Sequence, residues 1–136
     1  MPTDAVRFTT ITPNLIVRDI ARSTAFYCDV LGFRVAQTVP DAAPHAFVWL
    51  DRDGVAVFLN DPAAVARDLP EYGAPAFGGT STLFVVLEGV DALHARVSQS
   101  VPIVMPLRTQ PYGMREFAIH DPDGHLITFA ERVAQP

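Results

Sequence analysis

Glu116, Ala118 and His120 alternate along one short run, so a strand there places a carboxylate and an imidazole on one face and Phe117 and Ile119 on the other. A carboxylate buried on such a face can serve as acid or base, or bind a cationic group. Paired with a nearby arginine such as Arg108 or Arg132, it would be structural instead. His120 and His125 flank the turn Asp121-Pro122-Asp123-Gly124. Facing each other across a hairpin with one carboxylate, they could hold a metal at a rim; as partly exposed histidines beside a turn they carry no chemistry. His45 sits beside Pro44 in a loop and His94 on a helix. Cys28, the single cysteine, excludes an internal disulfide and has no adjacent His or Arg pattern to generate a thiolate. There is no glycine-rich phosphate loop, no nucleophile elbow and no Ser–His–Asp signature.

The elements that must position these residues repeat. Ile11 to Arg18 reads as a strand, and Asp19 offers a cap for a helix from Ile20 to Leu31 that stops at Gly32. Phe33 to Val39 and Ala46 to Leu50 read as strands; Asp51-Arg52-Asp53-Gly54 is a turn returning into Val55 to Leu59. The second half follows the same order. Thr82 to Glu88 is a strand, Asp91 can cap a helix carrying Leu93 and Val97, and strands follow at Ile103 to Leu107, Arg115 to His120 and His125 to Ala130. Superposing Gly54 on Gly124 carries Phe58 onto Thr128. By strand parity Trp49 and Phe47 are expected in the core beneath the first helix. Residues 1–136 thus form one domain: module one at about 8–60, a Pro- and Gly-rich linker at about 61–79 with a helical turn near Ala63 to Asp68, and module two at about 80–132.

The 136 residues suit one folding unit, and 49% hydrophobic with 18% charged residues excludes a disordered or coiled-coil chain. All ten basic residues are arginine, and with 15 acidic residues the net charge is −5. Such a chain lacks the basic patch that nucleic acid needs and suits a neutral or cationic small molecule. Apolar runs are only strand-length and the N-terminus lacks signal-peptide character, so a cytoplasmic protein without membrane partners is expected.

Val17-Arg18-Asp19-Ile20, Ser23, Phe26-Tyr27 and Asp29-Val30-Leu31-Gly32-Phe33 resemble the opening module of the vicinal oxygen chelate superfamily, which includes glyoxalase I, extradiol dioxygenases and bleomycin-resistance proteins. Gln110-Pro111-Tyr112-Gly113-Met114-Arg115-Glu116-Phe117 resembles the bleomycin-resistance branch in particular. The resemblance implies an α+β fold of two tandem βαβββ modules forming a cupped mixed sheet, with helices on the convex side. It places the metal-ligand positions of metal-dependent members at Thr12, Phe58, Thr82 and Thr128. None of these is His, Glu, Asp or Cys, so no metal and no other cofactor is expected. It also sets Phe84 and Tyr112 at aromatic positions that stack planar ligand groups, with Phe58 facing them and Glu116 pointing into the cup.

The function these observations imply is metal-independent binding, by sequestration, of an antibiotic-like or aromatic molecule. Phe58, Phe84, Tyr112, Glu116, Thr12, Thr82 and Thr128 form the expected site. The alternative is a lyase, isomerase or dioxygenase of the same superfamily, using a rim metal or Glu116. The resemblance further implies a homodimer, with pockets built from two chains where modules are exchanged.

Overall fold

Each half of the chain folds around one helix laid against one four-stranded sheet. The computed structural model describes residues 5–79 and 81–134, so the expected first residue of module two lies outside it. Module one runs β1 (Asn14–Ile16), α1 (Ile20–Ala25), a π-helical turn (Phe26–Val30), β2 (Arg34–Val39), β3 (Phe47–Arg52) and β4 (Val55–Asn60). Asp19 caps α1 by accepting a hydrogen bond from the Arg22 backbone N–H at 3.1 Å. Between β3 and β4 only Asp53 and Gly54 turn the chain, with φ of 54° and 83°, the left-handed pair that a tight hairpin requires.

The linker holds α2 (Pro62–Asp68) and a single 3₁₀ turn (Pro70–Tyr72). Module two follows as β5 (Leu83–Val86), α3 (Val90–Val97), β6 (Met105–Thr109), β7 (Met114–His120) and β8 (Leu126–Arg132). The sheet orders are β1-β4-β3-β2 and β5-β8-β7-β6, with the first pair of each parallel and the others antiparallel. An offset of 70 residues carries the pair Asn14 and Phe58 onto Phe84 and Thr128, so the two modules share one register. No helix among the described residues is long and apolar enough to cross a membrane.

Alternate residues decide which sheet face is covered. Val48, Leu50, Val57 and Leu59 in module one, with Phe117, Ile119, Ile127 and Phe129 in module two, join Ile20, Tyr27, Val90 and Val97 in one continuous core. The modules are also clamped by polar contacts. Asp123 accepts from the Arg18 backbone N–H at 3.1 Å and from the Ser23 hydroxyl at 3.3 Å, while Asp121 accepts from the Tyr27 hydroxyl at 2.9 Å. The Asp-Pro-Asp-Gly turn of one module is therefore plugged into the helix of the other.

Three expectations change. Trp49 and Phe47 are not beneath α1: Trp49 pairs with Phe58 and Phe47 with Asn60, so both lie on the face that the helices leave open. Asp91 does not cap α3, because the cap position is Gly89, in the left-handed conformation at φ 93°. Instead Glu131 Oε1 accepts from the Gly89 and Val90 backbone N–H groups at 3.1 and 3.0 Å, and Asp91 pairs with Arg115. The strand expected at Ile103 to Leu107 begins at Met105, with a register shift before Arg108; Pro102 and Pro106 have no N–H to donate to a ladder.

Candidate functional site

The open faces of the two sheets carry most of the residues expected to bind a ligand. In module one, Asn14, Phe58, Trp49 and Gln37 form one cross-strand row, and Ile16, Asn60, Phe47 and Val39 the next. Phe58 is held edge-on between two rings, its centroid 5.2 Å from that of Phe47 and 5.5 Å from that of Trp49. Asn60 Nδ2 donates to Asn14 Oδ1 at 2.7 Å and to the Leu15 carbonyl at 3.2 Å. Trp49 is 38% exposed.

In module two the rows are Phe84, Thr128, Ala118 and Met105, then Val86, Ala130, Glu116 and Arg108. Phe84 is 56% exposed and Val86 is exposed with it, whereas Thr128, Ala118 and Ala130 are buried. The arrangement is a low, small-residue floor with an exposed ring at one side and a carboxylate at the other. The aromatic residues are not repeat equivalents. The 70-residue offset sets Phe58 against Thr128 and Phe84 against Asn14.

Glu116 is 3% exposed and forms no ion pair among the described residues, so neither Arg108 nor Arg132 neutralises it. Its Oε1 accepts from the Tyr112 hydroxyl and, at 3.4 Å, from Gln110 Nε2. Its Oε2 is buried with no hydrogen-bond partner. Pro111 and Tyr112 turn the chain between β6 and β7, so the turn itself lays the Tyr112 ring, 60% exposed, beside this carboxylate. Donating to the Glu116 carboxylate pushes the Tyr112 hydroxyl pKa up.

The four positions expected to correspond to metal ligands carry no side chains suited to an ion. Thr12 precedes β1, Thr82 is exposed just before β5, and Phe58 and Thr128 lie mid-strand. The two mid-strand positions thus carry a hydrocarbon ring and a hydroxyl, and the other two carry hydroxyls outside the strands. Nor do His120 and His125 face each other. His120 is exposed and pairs with Leu126, while His125 is buried with Nδ1 2.8 Å from Asp121 Oδ2. No group of three potential ligands gathers among the described residues. Burial and the neighbouring Asp29 push the Cys28 thiol pKa up, as suits an unreactive helix residue.

Trp49 and Phe47 are the site residues that strand parity misassigned. The signal was present: a hairpin turning on two residues sets Trp49 opposite Phe58.

Comparison with known proteins agrees with this geometry. A model of the Glyoxalase/Bleomycin resistance protein/Dioxygenase superfamily matches residues 7–129. The bleomycin resistance proteins of Geobacillus stearothermophilus and Staphylococcus aureus (strain N315) are each 30% identical over 139 aligned positions, covering 89% of this chain and 95% of the relative. Among solved structures, TioX from Micromonospora sp. ML1 covers 93% of this chain with a TM-score of 0.71 at 24% identity. A glyoxalase/bleomycin resistance protein/dioxygenase from Nocardioides covers 98% with a TM-score of 0.78 at 18% identity, a likeness of fold. Its repeat, its register and these matches place the chain in the glyoxalase/bleomycin resistance protein/dioxygenase superfamily.

Proposed function

We propose that this chain is a metal-independent small-molecule binding protein, working as a cytoplasmic homodimer that sequesters an aromatic, antibiotic-like ligand. The observation that carries this reading is the set of exposed rings on the helix-free faces: Trp49 beside Phe58 in one module, Phe84 and Tyr112 in the other. Large apolar side chains gathered on an open sheet face favour a partner surface or a planar guest. A second copy laid over these faces would enclose the guest between module one of one chain and module two of its partner. Bleomycin resistance proteins among the relatives support the ligand class at the level of the family.

The proposed site comprises Phe58, Phe84, Tyr112 and Glu116, with Thr12, Thr82 and Thr128 at the former metal positions. Stacking on a ring contributes roughly 0.5–1.5 kcal/mol beyond the area it buries. Calorimetric titration with ligands drawn from a screen of aromatic antibiotics tests the reading. Phe84→Ala is expected to weaken binding about tenfold or more, and Thr128→Ala to leave it nearly unchanged. The opposite ranking would overturn the aromatic site. Sedimentation at micromolar concentration should give twice the chain mass.

A further inference from the structure

Two cavities lie where the helical segment of one module meets the hairpin turn of the other, one of about 380 Å³ beside Asp121 and Pro122, the other of about 350 Å³ beside residues 51–53. They are related by the repeat. The 70-residue offset carries Phe26 of the first onto Arg96 of the second, and Gly32 of the second onto Pro102 of the first. They differ in what crosses the junction. At the first, Asp121 and Asp123 accept from the Tyr27 and Ser23 hydroxyls of the opposite module. The offset puts Val97 and Leu93 at those places in α3, and neither side chain can donate. Among the described residues no hydrogen bond or ion pair joins the turn at 51–54 to α3. Asp51 pairs with Arg34 and Asp53 with Arg52, each at 3.4 Å and both within module one.

What α3 brings to the second cavity is a cation. Arg96 lines it, is exposed, and forms no ion pair among the described residues. A Cβ placed on Gly32 would lie 2.8 Å from Arg52 Nη1 and 3.5 Å from Arg96 Nη2, so guanidinium groups of the two modules approach one spot. Arg52 spends Nη1 on the Leu31 carbonyl and Nε on Asp53, which leaves its Nη2 free to donate. Like charges that converge on a cavity repel, and an anion between them removes the repulsion. Three arginines and two aspartates line this cavity, an excess of one positive charge, so a singly charged guest balances it. The planar fork of a guanidinium matches the two oxygens of a carboxylate. We infer that the cavity at Gly32, between Arg96 and Arg52, binds the carboxylate of a small organic acid. The guest joins the modules there as Asp121 and Asp123 join them at the other junction. This site shares no residue with the aromatic faces, so either can fail without the other.

The test compares propionate with propionamide, which match in shape and differ in charge. Each is titrated into isotope-labelled full-length protein at low ionic strength, where charge pairing is least screened, and followed by two-dimensional NMR. Propionate is expected to shift the Gly32 backbone and Arg96 Nε–H signals and to bind roughly tenfold more tightly than the amide, since its bonds to guanidinium are charge-assisted. Arg96→Gln, at an exposed position that does not hold the fold, should bring propionate down to the affinity of propionamide. Arg67→Gln, which removes an arginine outside the cavity, should leave propionate binding unchanged. Equal binding of acid and amide overturns the site, and so does propionate affinity that survives Arg96→Gln or falls equally in Arg67→Gln. The absence of any saturable shift at Gly32 and Arg96 overturns it as well. Inorganic phosphate binding more tightly than propionate overturns the carboxylate assignment in favour of a more highly charged anion.

Discussion

The Tyr27 hydroxyl donates to Asp121 Oδ2 at 2.9 Å across 94 residues of sequence, tying the helix of one module to the turn of the other. The same carboxylate accepts from the Asp123 and His125 backbone N–H groups at 2.9 Å each and contacts His125 Nδ1. Tyr27 is 1% exposed, so its ring contributes to the core and its hydroxyl to the clamp. Removing only the hydroxyl, in Tyr27→Phe, should cost about 1–3 kcal/mol of unfolding free energy, since a buried charged acceptor loses a donor. Urea denaturation monitored by circular dichroism measures this; a change below about 0.3 kcal/mol would show the clamp to be dispensable.

The same cluster gives stability a pH dependence. The hydrogen bond to Asp121 raises the His125 pKa above its ordinary value of 6.5, against the effect of burial. Its contribution is fully present below 6.5 and is lost as pH rises through the higher folded value. For Asp121, burial pushes the carboxyl pKa up, but the hydrogen bonds from His125 and Tyr27 outweigh it and hold the pKa below the ordinary 3.8. That contribution is present above 3.8 and disappears as pH falls through the lower folded value. Stability should therefore be greatest in mildly acidic solution and decline as the pH rises above 6.5 and through the raised His125 value. His125→Asn should flatten the decline; an unchanged slope in that variant would remove His125 as its cause.

Capping of α3 resides in Glu131 rather than Asp91. Glu131→Ala leaves two backbone donors at the helix start without an acceptor and should cost about 0.5–2 kcal/mol. Asp91→Ala breaks only an exposed pair with Arg115 and should cost less than about 1 kcal/mol. Thermal unfolding of the two variants side by side should rank them in that order.

On the proposed metal-independent reading, elemental analysis of dialysed protein should find no stoichiometric transition metal, because Thr12, Phe58, Thr82 and Thr128 offer only hydroxyls and a phenyl ring. One tightly held equivalent of zinc, iron, manganese or nickel per chain would overturn metal independence.

Much of this architecture is legible in the residues because local signals and global repeat agree. Asp19 caps as its type predicts, Gly32 and the Asp-Gly turn fall where the chain must reverse, and the two halves align on Gly54 and Gly124. Asp91 misled because a capping side chain can come from far away: Glu131 reaches α3 from the final strand, and nothing near position 90 announces it. The face of Trp49 depends on cross-strand register, which a single strand's alternation leaves open until its partner is fixed. Glu116 was legible as a buried carboxylate, but its single unsatisfied oxygen emerges only once the Gln110–Tyr112 turn folds over the other one.

The mismatch between repeat and rings has a consequence for any guest. Had both modules kept an aromatic residue at the same repeat position, the two half-floors would be near copies, and a flat molecule could settle on either, or either way round, at almost equal free energy. Here the ring sits on β4 in one half and on β5 in the other, with Thr128 and Asn14 at the vacated places. The duplicated scaffold has lost its internal symmetry where a ligand would feel it, so a bound plate has one preferred heading, and the degeneracy that a repeated fold would otherwise impose is lifted.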